Sequence, residues 1–316
     1  MHTLALHDGT PFPAFGLGTW LSEKDLVYRA VREAIALGYR HIDAAWIYFN
    51  EEEVGRGIRE AVEAGDVERE ELWVTTKLWN DMHDPADVQD ALETSLRNLG
   101  LDYVDLYLMH WPVAHPKGIM RPTSGEEFLT LEERPLESTW EAMTALAGTG
   151  KTRHVGVSNF SASKVDRISK AVGVTPVVNQ VELHPYNAQT DLVRAMKERG
   201  VVVTAYSPLG SSGRPDTMRR DDETRLLDDP AVAKIAEVLE CSPAQVLIAW
   251  AIARGTAVIP KSTNPERIAQ NLAATKLDLT GEEVEQLEAL DRGERYVTGA
   301  FWCPDGSPYT LESLWG

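Results

Sequence analysis

Residues 38–48, GYRHIDAAWIY, read as the end of a buried strand with an acid where an apolar residue is expected. A near-continuous apolar run suits a strand covered on both faces, yet Asp43 breaks this one and Tyr48 follows five positions later. Two further runs of the same kind come next. LWVTTKLW (72–79) carries Lys77, 34 residues after Asp43, and DLYLMHW (105–111) carries His110, 33 residues after Lys77. That interval is the length of one strand, one helix and their two connections.

Working outward, helical patterns fill the gaps. In SEKDLVYRAVREAIALG (22–38), Val27, Ala30, Val31, Ala34 and Ile35 form one apolar face. Ser22 with Asp25, and Asn50 with Glu53 before the next helix, are expected as N-terminal capping pairs, and Gly38 as a terminator. Helical stretches 85–100 and 136–150 follow the next two strands. Strand-like TRHVGVSNF (152–160), TPVVNQVELH (175–184), VVVTAYSPLG (201–210) and TAVIPKS (256–262) are each succeeded by another helical stretch. With GLGTW (16–20) as the first strand, there are eight strand–helix units. The pattern predicts an α/β fold of the (β/α)₈ TIM-barrel type, a single domain over 1–316. Residues 1–20 are expected to supply a hairpin, turning at Asp8–Gly9, and the first strand. Three segments fall outside the repeat: 112–135, 208–229 and a Gly-, Pro- and aromatic-rich C-terminal loop, 292–316. The first two follow strands, the face where barrels keep active sites. An open doubly wound sheet is the alternative, but no G-x-G-x-x-G follows any strand.

The chain carries 49 acidic and 31 basic residues, a net charge of −18 that argues against nucleic acid and anionic membranes as partners. Ten lysines against 21 arginines and so many acids suit a salty cytoplasm, or simply an acidic surface. Cys241 and Cys303 give no disulfide framework, and neither a signal peptide nor a spanning segment is visible, so a cytoplasmic location is expected.

In a barrel, polar residues at strand ends converge on one mouth. Asp43, Tyr48, Lys77 and His110 are thereby expected to meet. An ordinary tyrosine, with a pKa near ~10, is a weak acid at neutral pH. An ammonium ~4 Å away would favour the phenolate by up to ~4 kcal/mol at an effective dielectric of ~20. Asp43 would keep Lys77 charged, and His110 would orient a carbonyl oxygen or share its proton. The set suits protonation of an oxygen on which charge develops. Alternatives are a structural ion pair at the barrel mouth and a His110–His115 metal pair, though no acid or cysteine accompanies the latter at ligand spacing, and no metal is expected. GVSNF (156–160) is not a nucleophile elbow, and Asp43 and Glu182 alone are acidic at strand ends, which disfavours a paired-carboxylate hydrolase.

GYRHIDAAWIYFNEEEVG, TTKLW, DLYLMHWP, GVSNF, NQVELHP, AYSPLG and IPKSTNPERI, in that order between about residues 10 and 275, resemble the aldo-keto reductases. The resemblance implies NADPH-dependent reduction of aldehydes or ketones, with Asp43, Tyr48, Lys77 and His110 as the catalytic set and Tyr48 as acid. It further implies that Ser158, Asn159 and Gln180 bond the nicotinamide carboxamide and that Tyr206 stacks on the ring, with Trp20 nearby. Ser207, Leu209 and Ser211 correspond to the pyrophosphate cradle; Lys261, Ser262 and Arg267 to a 2′-phosphate clamp; Asn271 to the adenine site. Two cations and a hydroxyl at a helix start suit a phosphate, hence NADP over a weaker NADH. Where some members close a salt-bridged belt over the cofactor, this chain has Leu21 and Gly213, so easier cofactor exchange is expected. Trp20, Ile47, Trp79, Trp111, Phe301 and Trp302 are expected to line an apolar pocket for a small carbonyl substrate; Ile47 disfavours a pentose. Trp140 and Trp250 are expected in the core. The family implies a monomer, and the rival reading is a cofactor-binding regulatory protein with secondary turnover.

Overall fold

The computed structural model describes residues 2–220 and 223–316. A two-stranded antiparallel hairpin opens the chain, β1 (Thr3–Ala5) and β2 (Pro11–Pro13). Eight parallel strands follow in chain order: β3 (Leu17–Gly18), β4 (His41–Asp43), β5 (Trp73–Leu78), β6 (Val104–Met109), β7 (Thr152–Ser158), β8 (Val178–Glu182), β9 (Val202–Tyr206) and β10 (Ala257–Val258). The first and last meet through parallel bridges Phe15–Val258 and Gly18–Lys261, with Gly16 N–H donating to Val258 O at 3.0 Å. The sheet is thus a closed (β/α)₈ barrel.

Helices cover it: α1 (Lys24–Leu37), α2 (Glu51–Glu63), α3 (Val88–Leu99), α4 (Leu136–Ala147), α5 (Ala162–Val172), α6 (Thr190–Glu198), α7 (Pro230–Val238), α8 (Pro243–Ala253), α9 (Pro265–Ala273), α10 (Gly281–Glu288) and a short α11 (Leu311–Trp315). The five residues expected on the inner face of α1 are its buried ones, and Gly38 ends the helix at φ 106°, a conformation that favours glycine. Both capping expectations fail. Helix α1 starts after Glu23 with no side-chain cap. Asn50 precedes α2 but spends its amide on the carbonyls of Thr19 and Ser22, at 3.0 and 3.1 Å, tying the loop after β3 instead. Helix α7 was not foreseen, although Asp229 caps it through Ala231 N–H at 2.8 Å and Pro230 sits at its first turn. Helix α8 holds a run of buried residues from Val246 to Ala251, so its apolar sequence reflects burial under neighbouring helices. No single helix among the described residues is long and apolar enough to cross a membrane.

Three apolar clusters divide the molecule. The largest lies between strands and helices and contains Trp140 and Trp250, as expected. A second fills the lower barrel, where Leu6 and Phe12 of the hairpin pack with Trp73, Leu106, Leu108 and Val178. The hairpin is therefore a plug. A third, aromatic cluster sits at the opposite mouth.

Helices α2 and α3 approach closely at Gly55, where a Cβ would overlap the Leu99 backbone carbonyl. Gly55→Ala is expected to destabilise the fold by about 1–3 kcal/mol, because backbone cannot yield as a side chain does. An unchanged urea midpoint would show that the two helices separate freely there.

Candidate active site

Lys77 lies on β5 with its side chain fully shut from solvent. A buried ammonium needs an acceptor for each proton, and here it has three. It donates to Asp43 Oδ1 at 2.6 Å, to the Ala44 carbonyl at 2.8 Å and to Tyr48 Oη at 3.4 Å. Asp43 is held from the other side, its Oδ2 accepting from Gln180 Nε2 at 2.7 Å. Because the Tyr48 hydroxyl accepts from Lys77, its own proton is left to point elsewhere.

Lys77 reaches Tyr48, as expected, but its ammonium is not the largest influence on the phenol. Burial, reinforced by the Asp43 carboxylate, pushes the Tyr48 phenol well above its usual value. The lysine's charge is matched by Asp43 at 2.6 Å, so the phenol faces a nearly neutral pair. Lys77 is itself pushed down by burial, against the pull of Asp43. Tyr48 is thus a firmly protonated phenol at neutral pH.

His110 follows β6 and is 8% exposed. The edge of Trp79 meets its ring at a centroid distance of 5.0 Å and that of Tyr48 at 5.8 Å. Burial, with Lys77 and His83 nearby, holds it well below the ordinary histidine range, so it is a neutral imidazole. Asn159 Nδ2 fixes its carbonyl at 2.9 Å.

Beside this group runs a continuous cavity of about 1430 Å³. Asp43, Tyr48 and His110 line it, while Lys77 stands behind them. Ser158, Asn159, Gln180 and Tyr206 form one wall and are bonded together: Tyr206 Oη donates to Asn159 Oδ1 at 2.8 Å, and Ser158 Oγ to Gln180 O at 2.8 Å. Ser207, Leu209 and Ser211 follow along the same wall. Ser207 and Ser211 are left-handed, at φ 49° and 47°, so the chain turns sharply around this edge. Lys261, Ser262, Arg267 and Asn271 line the far end, where Asn264 caps α9 through Arg267 N–H at 3.0 Å. Leu21 and Gly213 also line the cavity, and neither carries charge, so these two form no ion pair across it. Arg214, beside Gly213, is buried and turned into its own loop, paired with Glu223.

On the other side Trp20, Ile47, Trp79, Trp111, Phe301 and Trp302 line the cavity as expected. Trp302 packs against Trp79 and Trp111, with ring centroids 5.7 and 5.8 Å apart. Sequence reasoning missed Val297, Thr298, Ala300 and Arg121, which also line it. It also missed Tyr309, whose hydroxyl accepts from Ala114 N–H at 2.9 Å and donates to Leu129 O at 2.7 Å, joining the 112–135 segment to the tail. No spacing signals such a long-range clip.

A closed barrel with an acid, a base, a phenol and an imidazole at adjacent strand ends matches a known pattern across most of its length. Residues 14–292 fit the model of the aldo/keto reductase family. The chain belongs to the aldo/keto reductase family. Relatives include an aldo/keto reductase of Synechocystis sp., 49% identical over 100% of this chain and 96% of that protein. The aldo-keto reductase family 1 member A1 of Rattus norvegicus is 44% identical over 93% of this chain and 91% of its own length, and that of Homo sapiens 45% over 92% and 90%. Aldo/keto reductases are oxidoreductases that reduce small carbonyl compounds to alcohols with a nicotinamide cofactor.

The buried pair sets a stability test. Lys77→Met leaves the Asp43 carboxylate uncompensated and is expected to cost about 3–5 kcal/mol. Adding Asp43→Asn should restore most of that stability. A single variant as stable as the parent would show that water reaches Asp43.

Proposed function

We propose that this aldo/keto reductase uses NADPH to reduce aldehydes or ketones, with Tyr48 donating the proton to the carbonyl oxygen. The observation that carries the reading is the Tyr48 hydroxyl, its oxygen engaged by Lys77 at 3.4 Å, lining the cavity beside His110. A bound nicotinamide supplies the hydride. The chain's own groups do the rest.

As a carbonyl accepts hydride, its oxygen becomes an alkoxide, a far stronger base than a phenolate. A phenol of raised pKa therefore suffices as donor, provided it is positioned in advance. Lys77 and Asp43 supply that positioning, and the ammonium stabilises the phenolate left behind. Neutral His110 offers a ring nitrogen to orient the oxygen without competing for its charge. The indoles of Trp20, Trp79 and Trp111 keep water from the reacting atoms.

The cavity suits a dinucleotide. Ser158, Asn159 and Gln180 offer polar groups for a carboxamide, and Tyr206 offers an aromatic face. At the far end Lys261 is pushed down by burial, with Glu23 opposing, and Ser262 lies next to it. Together with Arg267 these supply the charge and donors that a 2′-phosphate requires.

Tyr48→Phe should abolish reduction of a panel of aldehydes, followed as loss of reduced-nicotinamide absorbance, while NADPH still binds. Because Tyr48 is pushed above, and His110 below, the neutral range, neither should titrate between about pH 6 and 9. Reduction needs the phenol and should stay level there, whereas alcohol oxidation needs the phenolate and should climb with pH. A reduction optimum falling away on both sides of neutrality would assign the proton to another group.

Lys261→Ala combined with Arg267→Ala should weaken NADPH by about 100-fold or more and NADH only slightly, as removal of two charged contacts implies. Equal losses for the two cofactors, measured by fluorescence titration, would remove the clamp from this end of the cavity.

A further inference from the structure

One carboxylate at the barrel mouth has no part in the chemistry above. Glu182 ends β8, is 1% exposed and stands two residues after Gln180, on the same face of the strand. Its Oε1 accepts from Tyr296 N–H at 2.6 Å and from His184 Nε2 at 2.8 Å, and its Oε2 from Val297 N–H at 2.7 Å. Burial opposes the charge, but His184 and the two backbone groups prevail and hold the carboxyl below its ordinary value. Tyr296 N–H and Val297 N–H belong to buried residues, so losing this acceptor would leave two donors to find others.

Directly beyond this anchor, Val297, Thr298, Ala300, Phe301 and Trp302 line the cavity. The tail is fastened again at its end, where the Gly316 oxygen accepts from Ser161 Oγ at 2.6 Å and from Lys164 Nζ at 2.7 Å. Between the two anchors, Trp315 Nε1 donates to Thr298 O at 2.9 Å and its ring meets Trp111 at 5.8 Å.

We propose that Glu182 is a positioning residue for substrate selection, fixing where the tail enters the mouth and so the shape of the wall a bulky substrate touches. The proposal rests on the carbonyl-reductase reading and deepens it. Gln180 and Glu182 divide the labour of one strand face: the former steadies Asp43 beneath the reacting atoms, the latter sets the wall beside them. On this proposal a small aldehyde at Tyr48 depends little on residues 297–302, whereas a large aromatic one, extending along the cavity they line, depends on them more.

Glu182→Gln keeps the shape but turns an amide N–H₂ toward one of the backbone donors, so the tail must shift. The test compares kcat/KM for 4-nitrobenzaldehyde and for propanal, NADPH affinity by tryptophan quenching, and hydrogen exchange of the peptide spanning 296–303. The expected result is a fall of about tenfold or more in the preference for the aromatic aldehyde, mostly through KM. NADPH affinity should hold, and exchange at 296–303 should accelerate. Equal losses for both aldehydes, or an unchanged preference with unchanged exchange, would overturn the proposal, since a purely structural role lowers both alike. Should that variant not fold, Lys164→Met loosens the tail from its far end and should shift the preference the same way by a smaller factor; an unaltered preference there counts equally against the idea. A parent protein that reduces neither aldehyde would defeat the underlying reading instead, and exchange at 296–303 would still decide the anchor.

Discussion

A lysine ammonium sealed inside a closed barrel is the constraint on which the mouth is built. Lys77 cannot keep its charge there without Asp43, and its remaining protons recruit the Ala44 carbonyl and the Tyr48 hydroxyl. Those three acceptors come from the last residue of β4 and the short stretch just after it, so satisfying the cation also fixes the loop that bears the phenol. Gln180 then holds the second oxygen of Asp43 from across the barrel. Strands β4, β5 and β8 are thereby locked at one level, and the phenol inherits their rigidity.

Charge in this site works by balance more than by strength. A lone ammonium near Tyr48 would have made it a stronger acid, but the ammonium is not alone. The pair it forms with Asp43 cancels at short range, and desolvation decides the protonation of Tyr48 and His110 alike. The result is a phenol and an imidazole that are both neutral, with the ammonium of a compact ion pair set behind them. On the proposed reading, such a site would release a proton only when a strong base forms in front of it, which would tie proton transfer to the arrival of hydride.

How much of this was legible depended on how local the signal was. The barrel and the four convergent residues were readable because both follow from the recurrence of strand and helix, and Asp43, Lys77 and His110 sit one repeat apart. The protonation of Tyr48 was not, because desolvation belongs to the folded interior and leaves no mark on neighbouring letters. Asn50 illustrates a different failure: its position is that of a cap, but its amide reaches Thr19 and Ser22, a choice only the packed loop dictates. Helix α7 carries its own start signal in Asp229 and Pro230, but these stand at the end of a long insertion that masks them. Glu182 was hidden more deeply, since the backbone groups it serves lie 114 and 115 residues further on.

The hairpin at the start of the chain gives the barrel a bottom. With Leu6 and Phe12 packed beneath Leu106, Leu108 and Val178, the interior is a cup and not a tube, and traffic is confined to the rim. Floor and rim are consequently free to change at different rates. Insertions after the strands can alter what the vessel admits, while the plug shields the base from whatever experiments are run above it.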